Sequence, residues 1–111
     1  MTKYKIIQTE SFKRSLYDFL LTVAPDDKKH FVVFQELFDI DPFNTRIKTH
    51  LIYKDKKANQ IYSSYITNKI RLIRLLKGTT IIILYKVMTD HDYNKIRKLF
   101  PMIIKIADTV K

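Results

Sequence analysis

The chain has 111 residues, 46% of them apolar, with seven Phe and seven Tyr; this is material for one core and one domain, and it excludes disorder and a two-domain enzyme. With no Cys there is no disulfide framework, thiolate metal site or cysteine nucleophile. The formal net charge of +10 points to an anionic partner.

In chain order, Tyr4 to Gln8 reads as a short strand, and Thr9, Glu10 and Ser11 read as the polar start of a helix. Phe12, Leu16, Phe19, Leu20 and Val23 recur at steps of three and four, so one apolar stripe lies on a helix that Pro25 ends. Asp26 and Asp27 suit the positive start of a second helix, whose inward face uses Phe31, Phe34, Leu37 and Phe38 and which Asp41-Pro42 stops. Two helices in a hairpin follow. After a polar loop at Lys54 to Lys57, the runs Ile61 to Thr67, Ile70 to Leu76 and Thr80 to Val87 are rich in β-branched and aromatic residues, with Lys77-Gly78 as a hairpin turn. Beyond Asp90, Ile96, Leu99, Phe100, Ile103 and Ala107 return to helical spacing, and Pro101 predicts a kink or a break there. The fold class is therefore α+β: an N-terminal strand, a helix hairpin, a three-stranded antiparallel meander completing one sheet, and a C-terminal helix.

The helix hairpin is the large apolar surface available to cover the sheet, which leaves the other sheet face free. Strand alternation puts Lys69 and Arg71 on that free face and Ile70 and Leu72 on the covered one. The charge distribution agrees with a phosphate cradle there: residues 1–41 hold six basic and seven acidic residues, whereas residues 43–86 hold ten basic residues and one acid, Asp55. For a field of that sign, nucleic acid is the leading partner. The longest apolar runs fall far short of the roughly 20 residues a membrane span needs, and the start MTKYKIIQTE has no hydrophobic signal region. A cytoplasmic protein with no membrane contact is expected.

The element order, the Asp41-Pro42-Phe43 triplet, the stretch IYSSYITNKIRLIR from Ile61 to Arg74 and His91-Asp92-Tyr93 resemble the RelE/ParE toxin superfamily, most of all its RelE, YoeB and YafQ ribonucleases. The resemblance spans about residues 3–95. It implies a toxin domain over residues 1–94, with residues 95–111 as a helical extension packed on it. It also implies a small basic endoribonuclease, of a kind mostly ribosome-dependent, which cuts mRNA with no metal or other cofactor and is neutralised by an acidic antitoxin protein. On this resemblance Arg71 binds the scissile phosphate, His91 transfers a proton, and Lys69, Lys54, Lys56, Tyr93 and His50 are phosphate, base or proton-transfer contacts.

The chemistry suits these residues. The RNA 2′-hydroxyl attacks its own adjacent phosphorus, so the protein needs a base, an acid and cations, and no Ser or Cys nucleophile. A guanidinium fork such as that of Arg71 binds two phosphate oxygens at once, and an imidazole such as that of His91 titrates near neutral pH. The base is open between Lys69, Lys54 and His50. The plainer readings are that Arg71 pairs with an acid on a solvated face, that His91 starts the last helix, that His30 is a surface residue, and that Tyr62, Tyr65 and Tyr85 pack. Arg74 falls on the face opposite Arg71 and is expected to snorkel past the helices. A gyrase-binding toxin on the same fold, or a non-catalytic nucleic-acid-binding relative, remain as alternatives.

Overall fold

Thr9 ends the first strand and begins the first helix. Its hydroxyl oxygen accepts from the Phe12 amide at 3.0 Å, while the hydroxyl donates toward the Leu84 and Tyr85 carbonyls at 2.9 and 3.1 Å. One side chain thus caps a helix and ties it to a strand 75 residues away in sequence. The computed structural model describes residues 4–22, 24–57, 59–67, 69–78, 80–89 and 95–109. Its elements are β1 (Lys5–Gln8), α1 (Glu10–Thr22), α2 (Pro25–Ile40), β2 (His50–Lys54), β3 (Gln60–Tyr65), β4 (Ile70–Lys77), β5 (Ile81–Thr89) and α3 (Phe100–Thr109), with 3-10 turns at Thr45–Ile47 and Ile96–Leu99.

The helix hairpin forms as the apolar spacing predicts. Pro25 both forbids continuation of α1 and opens α2, because its fixed φ suits the first helical position; Ala24 before it is extended, with φ −64° and ψ 152°. Phe12 and Phe19 of α1 and Phe31, Phe34 and Phe38 of α2 are buried. Leu20 departs from the predicted stripe and is exposed.

The sheet has the order β1-β5-β4-β3-β2, with β1 parallel to β5 and the other pairs antiparallel. The meander therefore has one strand more than the sequence predicts. β2 escaped notice because it is an edge strand: four of its five residues are exposed, and a bulge between Leu51 and Tyr53 breaks its alternation. It becomes a strand because β3 offers it a row of unpaired backbone groups, a tertiary cause. The predicted turn at Lys77-Gly78 is present, with Gly78 in the left-handed region at φ 63°.

A second bulge organises the core. Ile73 pairs with Lys86 but Arg74 pairs with Leu84, so β5 carries an extra residue there. Alternation is reset, and Leu84 and Val87 face the helix hairpin while Tyr85 and Met88 face the other way. The Val87 amide donates to Ser15 Oγ at 2.9 Å, which locks α1 to the reset strand.

The expectation of a free second sheet face is corrected. One apolar cluster lies between sheet and hairpin, centred on Phe12, Phe31, Phe34, Leu72 and Leu84. Another lies on the opposite face, where Ile61, Ile73, Leu75, Ile83 and Tyr85 meet Ile96 and Ile103. The last helix thus covers the sheet face itself, not its edge or the hairpin, because that face is apolar along β4 and β5 and would otherwise lie in water. Burial also pushes the Tyr85 phenol above its ordinary pKa. The break predicted at Pro101 takes the form of a 3-10 turn followed by α3, with Pro101 in the first turn of α3, where its missing amide does no harm. Tyr53 of β2 stacks on Phe100 with ring centroids 4.8 Å apart, closing the sheet edge over this layer.

Candidate nucleic-acid interface

The β3–β4 turn builds the site. Thr67 Oγ1 accepts from the Lys69 and Ile70 amides at 3.1 and 3.0 Å, and this tight turn sets Tyr65 directly opposite Arg71. Cross-strand partners in an antiparallel ladder share a face. The Arg71 guanidinium carbon lies 4.5 Å from the Tyr65 ring centroid, over the ring. Lys48 Nζ lies over the same ring at 5.3 Å, and the His50 ring meets it edge-on at 6.2 Å. An electron-rich ring thus collects two cations and an imidazole at the open end of the sheet.

Lys48 and His50 come from the loop after α2, whose shape is set locally. Asp41 Oδ1 accepts from the Phe43 amide at 2.9 Å, and Asn44 Oδ1 accepts from the Arg46 amide at 2.8 Å, starting the 3-10 turn. Lys48 then adopts the left-handed region at φ 50°, and its carbonyl accepts from His50 Nδ1 at 3.0 Å. Since a carbonyl only accepts, Nδ1 carries the proton, and a neutral His50 presents Nε2 as a proton acceptor.

Arg74 pins this loop from below. It is 1% exposed, and its guanidinium carbon lies 4.9 Å from the Phe38 ring and 4.8 Å from the Phe43 ring. Nη2 donates to the Pro42 carbonyl and, at 2.9 Å, to Thr49 Oγ1. The Thr49 hydroxyl shares a 2.7 Å hydrogen bond with Ser64. Nε and Nη1 of Arg74 have no hydrogen-bond partner. Burial lowers its pKa to about 10, against smaller raising contributions from Tyr62 and Asp41. Arg74 does face away from Arg71 as alternation predicts, but it is enclosed instead of snorkelling.

The predicted site residues divide into three groups. Arg71 and His50 meet at Tyr65, and exposed Lys69 stands in the turn just before β4, not on the strand. Lys54 and Lys56 lie at the far end: Lys54 pairs with Gln60, which pairs with Leu76, five residues along β4 from Arg71. At about 3.3 Å per residue that is about 17 Å. His91 and Tyr93 lie outside the described residues. Sequence reasoning missed Lys48 and Arg46, and placed Tyr65 among packing residues. The signal available was the basic stretch Arg46 to His50 after a helix stop, with a cation or imidazole at every second position. Among the described residues, no three His, Asp or Glu side chains are grouped to hold a metal ion.

The overall backbone fold is shared with solved toxin structures. The chain is similar to the archaeal RelE in its complex with RelB from Pyrococcus horikoshii, at TM-score 0.58 and 11% identity, covering 79% of this chain and 96% of that one. It is similar to YafQ from Escherichia coli at TM-score 0.57 and 11% identity, covering 81% and 97%. This is the RelE toxin fold. The chain is similar as well to a YoeB/ParE toxin from Agrobacterium tumefaciens, at TM-score 0.56 and 15% identity, covering 77% of this chain and 97% of that one. At such identities the likeness is one of backbone. No family model and no curated protein sequence matches the chain. The three matches leave about a fifth of this chain unmatched, while almost the whole of each toxin is covered.

Proposed function

We propose that the protein is the toxin of a type II toxin–antitoxin pair and an mRNA endoribonuclease that works without metal, on the ribosome. The observation that supports this most is the meeting of Arg71, Lys48 and His50 around Tyr65 on a RelE fold. Arg71 takes the scissile phosphate, with its guanidinium plane steadied by the ring beneath it. His50, with Nδ1–H engaged by the Lys48 carbonyl, removes the 2′-hydroxyl proton through Nε2. The 2′-oxygen attacks phosphorus, the 5′-oxygen leaves, and the products are a 2′,3′-cyclic phosphate and a 5′-hydroxyl end. Charge gathers on the non-bridging oxygens in the transition state, where Arg71 and Lys69 stabilise it. By the resemblance, His91 protonates the leaving oxygen, and Tyr93 contacts a base. Lys54 and Lys56 guide the strand from the far end of the sheet. The partner is an acidic antitoxin, matched to the basic second half of the chain; its counterparts are RelB in the Pyrococcus complex and DinJ in that of YafQ.

The test is cleavage of mRNA by purified protein in a translating system, with the new ends identified chemically. Arg71→Ala is expected to slow cleavage about 10²- to 10³-fold, His50→Gln and His91→Gln about 10²- to 10⁴-fold, with melting temperatures near wild type. A wild-type protein that leaves RNA intact, or cleaves it to 3′-hydroxyl ends, would sink this mechanism. Inhibition of gyrase in a plasmid-relaxation assay without RNA cleavage would replace it by the gyrase-binding alternative.

A further inference from the structure

Tyr65 also borders a cleft of about 220 Å³, lined with it by His30, Arg46, Lys48, Ile66 and Thr67. Its walls come from three places in the chain: α2, the loop after it, and the β3–β4 turn. Among the described residues, neither Arg46 nor Lys48 forms an ion pair with a carboxylate, and the acid bound nearby, Asp27, is 3.9 Å from His30. Like charges brought together without a counterion repel, and the arrangement becomes favourable when an anion enters.

The backbone adds a second, independent observation. Lys48 is the one non-glycine residue with positive φ among those described, at 50°, a conformation that costs an ordinary side chain on the order of 1 kcal/mol. The loop holds it there through the Arg74 and Thr49 hydrogen bonds and through Ile47, which is 2% exposed. Relaxing that turn would carry Lys48 away from the Tyr65 ring. The fold therefore holds a strained cation over the cleft.

The geometry points to a second phosphate subsite in this cleft, held by Arg46 and Lys48, which takes the phosphodiester next to the one at Arg71. Tyr65 borders both, since its ring lies against Arg71 and also lines the cleft. A single strand crossing this ring at the end of the sheet would place one phosphate on the Arg71 side and the next in the cleft. The subsite rests on the RNA reading above for the identity of the phosphate's bearer, while a phosphate site as such does not need it.

Two probes separate these claims: a ten-nucleotide single-stranded RNA titrated at several salt concentrations, and inorganic pyrophosphate followed by amide resonances of Tyr65 to Thr67. The double variant Arg46→Gln/Lys48→Asn removes both charges, and Asn tolerates the left-handed conformation, so melting should stay near wild type. The log–log salt slope for RNA is expected to become shallower by about 0.7, because one phosphate is no longer neutralised, and the pyrophosphate shifts should disappear. Unchanged RNA slope and unchanged pyrophosphate shifts overturn the subsite and leave the RNA reading standing. A shallower slope with pyrophosphate shifts intact also overturns it, since the two cations would then act only at long range. Pyrophosphate shifts that vanish in the variant, in a protein that binds no RNA, keep the phosphate site and sink the RNA reading. A wild type that binds neither probe overturns both.

Discussion

Arg74 and Tyr65 show at the residue scale how the site is held. Arg74 is a cation enclosed by two phenyl rings, with two of its three nitrogens unpaired, so its desolvation is met only in part by the Pro42 and Thr49 bonds. Truncation and replacement should therefore differ. Arg74→Ala opens a cavity and frees the loop, and is expected to cost about 3–5 kcal/mol in denaturant unfolding. Arg74→Met fills the same space without a buried charge and should cost less than about 1.5 kcal/mol. If the two variants unfold alike, the guanidinium's hydrogen bonds, not its volume, hold the loop. Tyr65 is judged by its ring: Tyr65→Phe keeps the attraction for Arg71 and Lys48 and should bind RNA as wild type does, whereas Tyr65→Leu should weaken binding about 2- to 5-fold, roughly 0.5–1 kcal/mol. Equal binding by the Phe and Leu variants would deny the ring its role.

At the scale of elements, the terminal helix is a layer of the fold. Ile103 is 0% exposed and packs with Ile73, Leu75 and Ile83. Ile103→Ala is expected to cost about 2–5 kcal/mol by chemical denaturation. Truncation after Asn94 exposes that whole face at once and should yield a protein that aggregates or melts far lower than the full chain. A truncated protein that stays monomeric and melts like wild type would show that the second apolar cluster contributes nothing. β2 is the contrasting element, a bulged edge strand with Leu51 and Tyr53 exposed. Lys54 at its end and Lys48 just before its start discourage pairing with another copy of the chain.

The whole molecule carries its excess charge on one half of the sequence, and the fold spreads it over both ends of the sheet. Arg46, Lys48, Lys69 and Arg71 gather at one end, while Lys54, Lys56 and Lys57 lie at the other. Exposed charges about 17 Å from Arg71 along the sheet act through the screened field, which at 0.15 M salt decays over about 8 Å. Lys54→Gln/Lys56→Gln should accordingly weaken RNA binding at low salt, become indistinguishable from wild type near 0.5 M salt, and leave the rate of bound RNA cleavage unchanged. A slower chemical step in that variant would bring these lysines into contact with the reacting phosphate.

The features legible in the chain itself are local. Helix spacing in Phe12 to Phe19 and Phe31 to Phe38, the breaks at Pro25 and Pro101, and the runs that became β3, β4 and β5 follow from periodicity and backbone chemistry, which depend on near neighbours. Alternation also placed Arg71 and Arg74 on opposite faces correctly. Tertiary packing settled everything else. Whether Leu51 to Tyr53 is a strand depends on partners 8 to 11 residues away, and whether the second sheet face is open depends on where a helix from the chain's end comes to rest. The gathering of Lys48 and His50 at Tyr65 requires a loop shape set by Arg74, which follows them in the chain by more than 20 residues and reaches them only through the folded core. Such contacts leave no period in the sequence, because pairing between distant segments is decided by the summed packing of the core and not by any one segment's pattern.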